Sequence, residues 1–241
     1  MKMIELLIFD MDGLMFETGR LAYRAYLRSA EKYDYEMNHQ VYYHLTGRTE
    51  AAILKEMAVL YGDEVPYQQW RAEMNVNKGL IFAEEKRVFK KKGLESLLHY
   101  AKASGRLVAV ASSNHLENIR NYLEIEAVAP YVDLIISGDE VKKGKPDPEI
   151  FLTACKKAGV KPEHALVLED SRAGIKAAKA AGISSALIED DITDLPVRKG
   201  RYPLLQDLTQ AMVYEAQPDF IFEDLSQVAA LLQQSSDNKE E

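Results

Sequence analysis

Four carboxylates in two short motifs have the type and spacing to do chemistry. Phe9-Asp10-Met11-Asp12-Gly13 closes an apolar run near the N-terminus, and Leu168-Glu169-Asp170 closes another. Acids this close repel one another unless a proton or a cation holds them together. Oxygen-only donors suit a hard divalent ion such as Mg²⁺. Two further features supply donors and positive charge. Ala111-Ser112-Ser113-Asn114 ends an apolar run ahead of a helical stretch, where hydroxyls and free backbone N–H groups form an anion site. Gly144-Lys145-Pro146-Asp147-Pro148 presents Lys145 in a turn stiffened by two prolines. Together these parts suit phosphoryl transfer. Asp10 would attack phosphorus, and Asp12 would act as acid and then base. Mg²⁺, Lys145 and Ser112 would neutralise the phosphoryl oxygens. Each part also has a plainer reading. The carboxylates could be solvated strand ends or helix caps, Ser113 or Asn114 an N-cap, and Lys145 a solvated lysine beside Lys142 and Lys143.

The elements that must position these residues are legible from hydrophobic pattern. Leu6–Asp10, Leu107–Ser112, Val132–Ser137, Ala165–Glu169, Ser185–Glu189 and Phe220–Phe222 are short apolar runs, most of them rich in Val, Ile and Leu. Runs without alternation are expected of strands covered on both faces. Helical patterns at Gly93–Ala103, His115–Leu123, Pro148–Ala158 and Ala173–Ala181 separate the later strands, and Gly105, Gly159 and Gly182 stand where helices stop. Alternating strands and helices predict an α/β fold, a doubly wound parallel sheet of Rossmann-like type. In such sheets ligands bind beyond the carboxyl ends of the strands, where both acidic motifs fall.

From Glu17 to Glu85 the rhythm changes. Thr18–Tyr33, Thr49–Tyr61 and Pro66–Glu84 carry apolar residues at three- and four-residue spacing. A helical block of this length is an inserted all-helical cap rather than a loop. The expected division is a core of residues 1–16 and 86–241 and a cap of residues 17–85, with hinges near Phe16 and Lys86–Gly93. Within the cap, Thr46-Gly47-Arg48-Thr49 joins two helices. Gly47 lets the backbone bend, and Arg48 offers a fork of donors to a substrate. The alternative is a connecting turn with Arg48 paired to Glu50 or Glu84. Arg20, at the start of the cap, is a second substrate candidate. Trp70, Tyr23, Tyr26, Tyr42 and Tyr43 read as cap packing, Lys90-Lys91-Lys92 as a solvated basic run, and Cys155 as core. The five histidines show no metal spacing with one another. An extra helix is expected around Leu204–Val213.

Composition bounds the rest. The 241 residues carry 30 Lys+Arg against 38 Asp+Glu, a net charge of −8 that disfavours wrapping nucleic acid or docking on an acidic membrane. A single cysteine suits a reducing compartment. Leu6–Phe9 is too short for a signal h-region, and no run approaches the ~20 apolar residues of a membrane span. A cytoplasmic protein is expected, a monomer or weak homodimer whose partner is a small phosphorylated metabolite.

The ordered motifs resemble the haloacid dehalogenase-like superfamily, in the branch with a helical cap after the first strand that includes phosphoglycolate phosphatases and β-phosphoglucomutases. DMDGLMFET, VASSN, GKPDPE and VLEDSRAGIKAA are similar to its four motifs in order, and the resemblance covers nearly the whole chain. It implies Asp10 as nucleophile, Asp12 as acid/base with its carbonyl on Mg²⁺, and Ser112 as phosphate ligand. It further implies Lys145 as the third motif, Glu169 and Asp170 holding the metal, and a tight turn after Asp12 where Gly13 leaves room beside the phosphate. Asp12 separates the chain from the dehalogenases, which lack that aspartate and the metal. The hexose-phosphate mutases carry a histidine just past the first motif, where this chain has Thr18-Gly19-Arg20-Leu21-Ala22. The expectation is therefore Mg²⁺-dependent hydrolysis of a small phosphate monoester through an aspartyl-phosphate. A hexose-phosphate mutase is the alternative, and a non-catalytic phospho-acceptor module a distant one.

Overall fold

The structure is a computed structural model and describes residues 3–46, 48, 50–206, 208 and 216–237. The chain divides into two compact units. One comprises Met1–Glu17, Arg87–Asp190 and Glu215–Glu241, the other Thr18–Lys86 and Asp191–Tyr214.

The first unit is an α/β sheet of six parallel strands. They are β1 (Leu6–Phe9), β2 (Leu107–Ala111), β3 (Leu134–Ile136), β4 (Ala165–Glu169), β5 (Ser184–Ile188) and β6 (Phe220–Phe222), in the order β3-β2-β1-β4-β5-β6. β3 is shorter than the apolar run Val132–Ser137. Val132 closes a 3₁₀ turn, and the Asp133 carboxylate takes up the Val108 N–H at 2.8 Å. Leu6 and Ile8 of β1 face a cluster that includes Ile150 and Phe151 of α7 (Glu149–Ala158) and Ala177 and Ala178 of α8 (Arg172–Ala180). Leu7 and Phe9 are equally buried on the opposite face. Burial on both sides explains why β1, β2, β4 and β5 are largely apolar runs. Cys155 lies in this core, as expected, and burial pushes its thiol up to about 11. The strand order reverses between β1 and β4, so the crevice of the doubly wound sheet opens at their carboxyl ends.

The second unit is helical: α1 (Thr18–Tyr33), α2 (His39–Leu45), α3 (Glu50–Tyr61) and α4 (Tyr67–Glu85). Ion pairs Arg24–Glu85, Arg28–Glu84 and Lys32–Glu73 join α1 to α4 at 2.7, 3.0 and 2.6 Å. α2 has only seven residues, too few to show a helical period, and is started by Asn38, whose side chain accepts the Val41 N–H. The core is aromatic. Tyr35 stacks on Trp70 with centroids 4.3 Å apart, and Tyr61 meets both edge-on. Tyr23, Tyr26 and Tyr42 are buried and Tyr43 packs against them, as read from their spacing.

Residues 191–206 belong here rather than with the sheet, which corrects the expected division of the chain. Met37 and Arg198 exchange backbone hydrogen bonds of 2.9 and 2.8 Å, Glu36 N–H donates to the Tyr202 carbonyl at 2.9 Å, and Tyr202 packs on Trp70. Gly200 passes so close that a Cβ there would lie 2.5 Å from the Asp34 carbonyl oxygen. Leu205 N–H donates to the Leu60 carbonyl. The helix expected at 204–213 falls largely outside the described residues, and Leu204–Gln206 are not helical. No helix among the described residues is long and apolar enough to cross a membrane.

Candidate active site

The site is built where β1 and β4 end side by side. Asp10 directly follows β1, and its N–H continues the ladder to the Leu168 carbonyl at 2.9 Å. Glu169 is the last residue of β4 and fully buried. Lys145, on the turn before α7, reaches between them. Its ammonium donates to Asp10 Oδ1, to Glu169 Oε1 at 2.6 Å and to the Ala111 carbonyl at 3.2 Å. Its side chain is only 7% exposed. The stiff turn therefore presents a buried lysine, not a solvated one.

Glu169 is held at both oxygens. Oε2 accepts from Asp170 N–H, Ser171 N–H and Ser171 Oγ at 3.1, 3.0 and 2.9 Å. Ser171, not Asp170, is the N-cap of α8, accepting the Gly174 N–H at 3.1 Å. Gly174 leaves the space Glu169 occupies, since an added Cβ would lie 1.9 Å from the carboxylate carbon. These two residues escaped sequence reading, although the L-E-D-S-x-x-G spacing carries them.

After β1 the chain turns tightly, with Met15 and Phe16 N–H groups both donating to the Met11 carbonyl. Gly13 sits at φ +84°, and a Cβ on it would lie 2.1 Å from Asp170 Oδ2. The glycine thus admits Asp170. Asp12 Oδ2 accepts from Asn114 Nδ2 at 3.3 Å, while its Oδ1 is buried with no hydrogen-bond partner among the described residues. Ser112 is buried and its Oγ accepts the Asn114 N–H at 3.1 Å. Ser113 is exposed, its backbone carbonyl against Gly138. Neither Ser113 nor Asn114 caps α6 (Leu116–Ile125). The N-cap is His115, and Asp139 accepts the Leu116 N–H at 2.9 Å and contacts His115 at 2.7 Å.

Asp10, Glu169 and Asp170 each offer an oxygen within 4.8 Å of the others'. The Asp12 carboxylate is not one of this trio. Burial pushes Asp10 up to about 8, with Glu169 and Asp12 adding to the shift and Lys145 opposing it. Asp170 is raised well above the carboxylate range by burial, then by Glu169, Asp10 and Asp190. Burial works against the charge on Lys145, but Asp10 and Glu169 outweigh it and raise its pKa. One ammonium cannot balance three clustered carboxylates, and the all-oxygen trio fits a hard divalent cation.

The basic run is not solvated throughout. Lys90 pairs with Glu95 and the exposed Lys92 with Asp224, but Lys91 is half-buried against Asp190 at 2.7 Å and Glu17 at 3.6 Å. Position in a run of three lysines gives no sign of this.

Of the cap candidates, Gly47 lies outside the described residues. Arg48 donates to the His44 carbonyl at 2.7 Å and pairs with Glu56 at 3.4 Å, neither of the partners expected for it. Glu50 instead pairs with Arg71, and Glu84 with Arg28. Arg20 grips both oxygens of Asp194 at 2.6 Å.

A doubly wound sheet with a buried carboxylate–lysine–carboxylate group at its switch point defines an α/β protein equipped for phosphate chemistry. Residues 7–188 match the haloacid dehalogenase-like hydrolases, and the chain belongs to that family. A phosphorylated carbohydrates phosphatase of Thermotoga maritima is 31% identical over 180 residues, 75% of this chain and 82% of the relative. The β-phosphoglucomutase of Bacillus subtilis is 28% identical over 181 residues, 73% and 79% of the two chains. In fold, the chain resembles the crystal structure of a β-phosphoglucomutase from Clostridium difficile, with a TM-score of 0.70, 23% identity and 99% of both chains covered.

Proposed function

We propose that this chain is a Mg²⁺-dependent phosphatase that hydrolyses a small phosphate monoester, a sugar or other metabolite phosphate, through an aspartyl-phosphate on Asp10. The observation that carries the reading is the buried Asp10–Lys145–Glu169 group, with Asp12 two residues on holding an uncommitted oxygen. An Asp10 oxygen attacks phosphorus and the ester P–O bond breaks. Asp12 delivers a proton to the departing oxygen. Water then attacks the same phosphorus, Asp12 takes up its proton, and inorganic phosphate leaves as the Asp10 carboxylate is restored. Lys145, with Ser112 beside it on the neighbouring strand end, stabilises charge on the phosphoryl oxygens. Asp10, Glu169 and Asp170 would hold Mg²⁺, which supplies further neutralisation of those oxygens. The helical unit, with Gly47, Arg48 and Arg20, would read the rest of the substrate.

The name of the Thermotoga relative supports a phosphorylated carbohydrate as the substrate class. The likeness to β-phosphoglucomutases favours a hexose-phosphate mutase as second reading. Against it stands Thr18-Gly19-Arg20, without the histidine that such mutases carry there.

Phosphate release from a panel of sugar and other metabolite monoesters, with Mg²⁺ or EDTA, tests the proposal beside Asp10→Asn. Release by the wild type with metal alone is expected, together with a loss of at least ~10³-fold in Asp10→Asn. Turnover persisting in a clean Asp10→Asn preparation would end the aspartyl-phosphate mechanism. Isomerisation of a hexose 1-phosphate without phosphate release would favour the mutase.

A further inference from the structure

The reaction outlined above leaves the ion pair Lys91–Asp190 without a part. Lys91 lies in a segment paired with residues 15–17. Its N–H donates to the Met15 carbonyl at 2.9 Å, Lys90 bridges to Phe16, and Glu17 N–H donates to the Val88 and Phe89 carbonyls. Its backbone is thereby tied to the turn that carries Asp12 and Gly13. The ammonium lies 2.7 Å from Asp190 Oδ1 and 3.6 Å from Glu17 Oε2.

Asp190 is 4% exposed and follows β5, the neighbour of β4, three residues beyond Leu187, which pairs with Glu169. While Lys91 holds Oδ1, Oδ2 lies on the side of Gly13. A Cβ on Gly13 would be 3.2 Å from Asp190 Oδ2 and 2.1 Å from Asp170 Oδ2. Two carboxylate oxygens thus flank the one residue without a side chain.

We infer that Asp190, gripped through Oδ1 by Lys91, is an outer acidic residue of the cation site, with Oδ2 directed to the side of Asp170. The inference rests on the proposed cation at Asp10, Glu169 and Asp170. Groups behind the direct ligands orient them and set local charge, and their loss weakens metal binding about 10–100-fold. Lys91 keeps one oxygen of Asp190 occupied, so the carboxylate adds negative potential beside Asp170 without displacing it. A solely structural pair would anchor the segments around Lys91 and leave cation affinity untouched.

Titration with Mn²⁺, followed by the electron paramagnetic resonance of the free ion, separates these roles. The proteins compared are wild type, Asp190→Asn, Glu17→Gln and the double variant Lys91→Met/Asp190→Asn. Asp190→Asn should bind Mn²⁺ about 10–100-fold more weakly. Glu17→Gln also loses a Lys91 contact but is not at Gly13, and should stay within about threefold. The double variant leaves net charge unchanged and strands no lysine, and a smaller loss in the same direction is expected of it, because a positive charge near Asp170 goes as well. Wild-type affinity in Asp190→Asn, or in the double variant, overturns the inference. Absence of Mn²⁺ binding by the wild type would instead overturn the cation reading beneath it.

Discussion

Asp10 shares its enclosure at the end of β1 with one ammonium and two other carboxylates, so its charge is costly until a cation arrives. The cost has a pH signature. Its pKa is raised from 3.8 to about 8, so the stability of its neutral form is full below the ordinary aspartate range. That stability is lost as pH rises through about 8. In EDTA the melting temperature should therefore fall between pH 4 and 8, and saturating Mg²⁺ should flatten the fall. A metal-free melting temperature that climbs steadily over this range would contradict the balance of charges described. Lys145→Ala should cut kcat/KM by roughly 10²–10³-fold, the scale of one lost donor to a developing oxyanion. Near-normal kcat/KM would refute its role. Gly174→Ala drives a Cβ to 1.9 Å from the Glu169 carboxylate carbon. Overpacking of this kind costs about 1–3 kcal/mol, visible as a lower urea midpoint, and displaces Glu169 from Lys145.

Among the elements, the strands of the sheet and the stretch 191–206 were unequally legible. Both acidic strand ends could be placed because β1 and β4 are uninterrupted apolar runs whose identity does not depend on their neighbours. The stretch Asp191–Gln206 has no helical or strand period of its own, and its order comes from pairing with residues 34–37. A test follows at Gly200, which runs against the Asp34 and Tyr35 backbone. Gly200→Val should break the Met37–Arg198 pairing and uncover the Tyr35–Trp70–Tyr202 stack. Tryptophan emission would shift to the red and urea resistance would fall. An unchanged spectrum would mean the aromatic core does not depend on this stretch. Trp70 is the chain's one tryptophan, so the signal reports on that core alone.

For the whole molecule, a ligand that binds only the folded state stabilises it by mass action. At about 100 times its Kd, Mg²⁺ should add ~2.7 kcal/mol, or about 5–10 °C in melting temperature for a chain of this length. Calorimetry with Mg²⁺ and with EDTA measures the shift, and no shift would contradict a cation site in the folded protein. The sequence by itself determined the family and the sheet layout that carries its motifs. Carboxylate pairs at strand ends, a lysine ahead of two prolines, uninterrupted strands and a long helical insertion are local patterns, readable because each is set by residues close together in the chain. The tertiary structure alone decided that Lys91 packs on Asp190 and that 191–206 completes the helical unit. These pairings join residues far apart in sequence, as Lys91 and Asp190 are, or depend on the volume left between packed backbones. Neither leaves a period or a spacing for the linear chain to display.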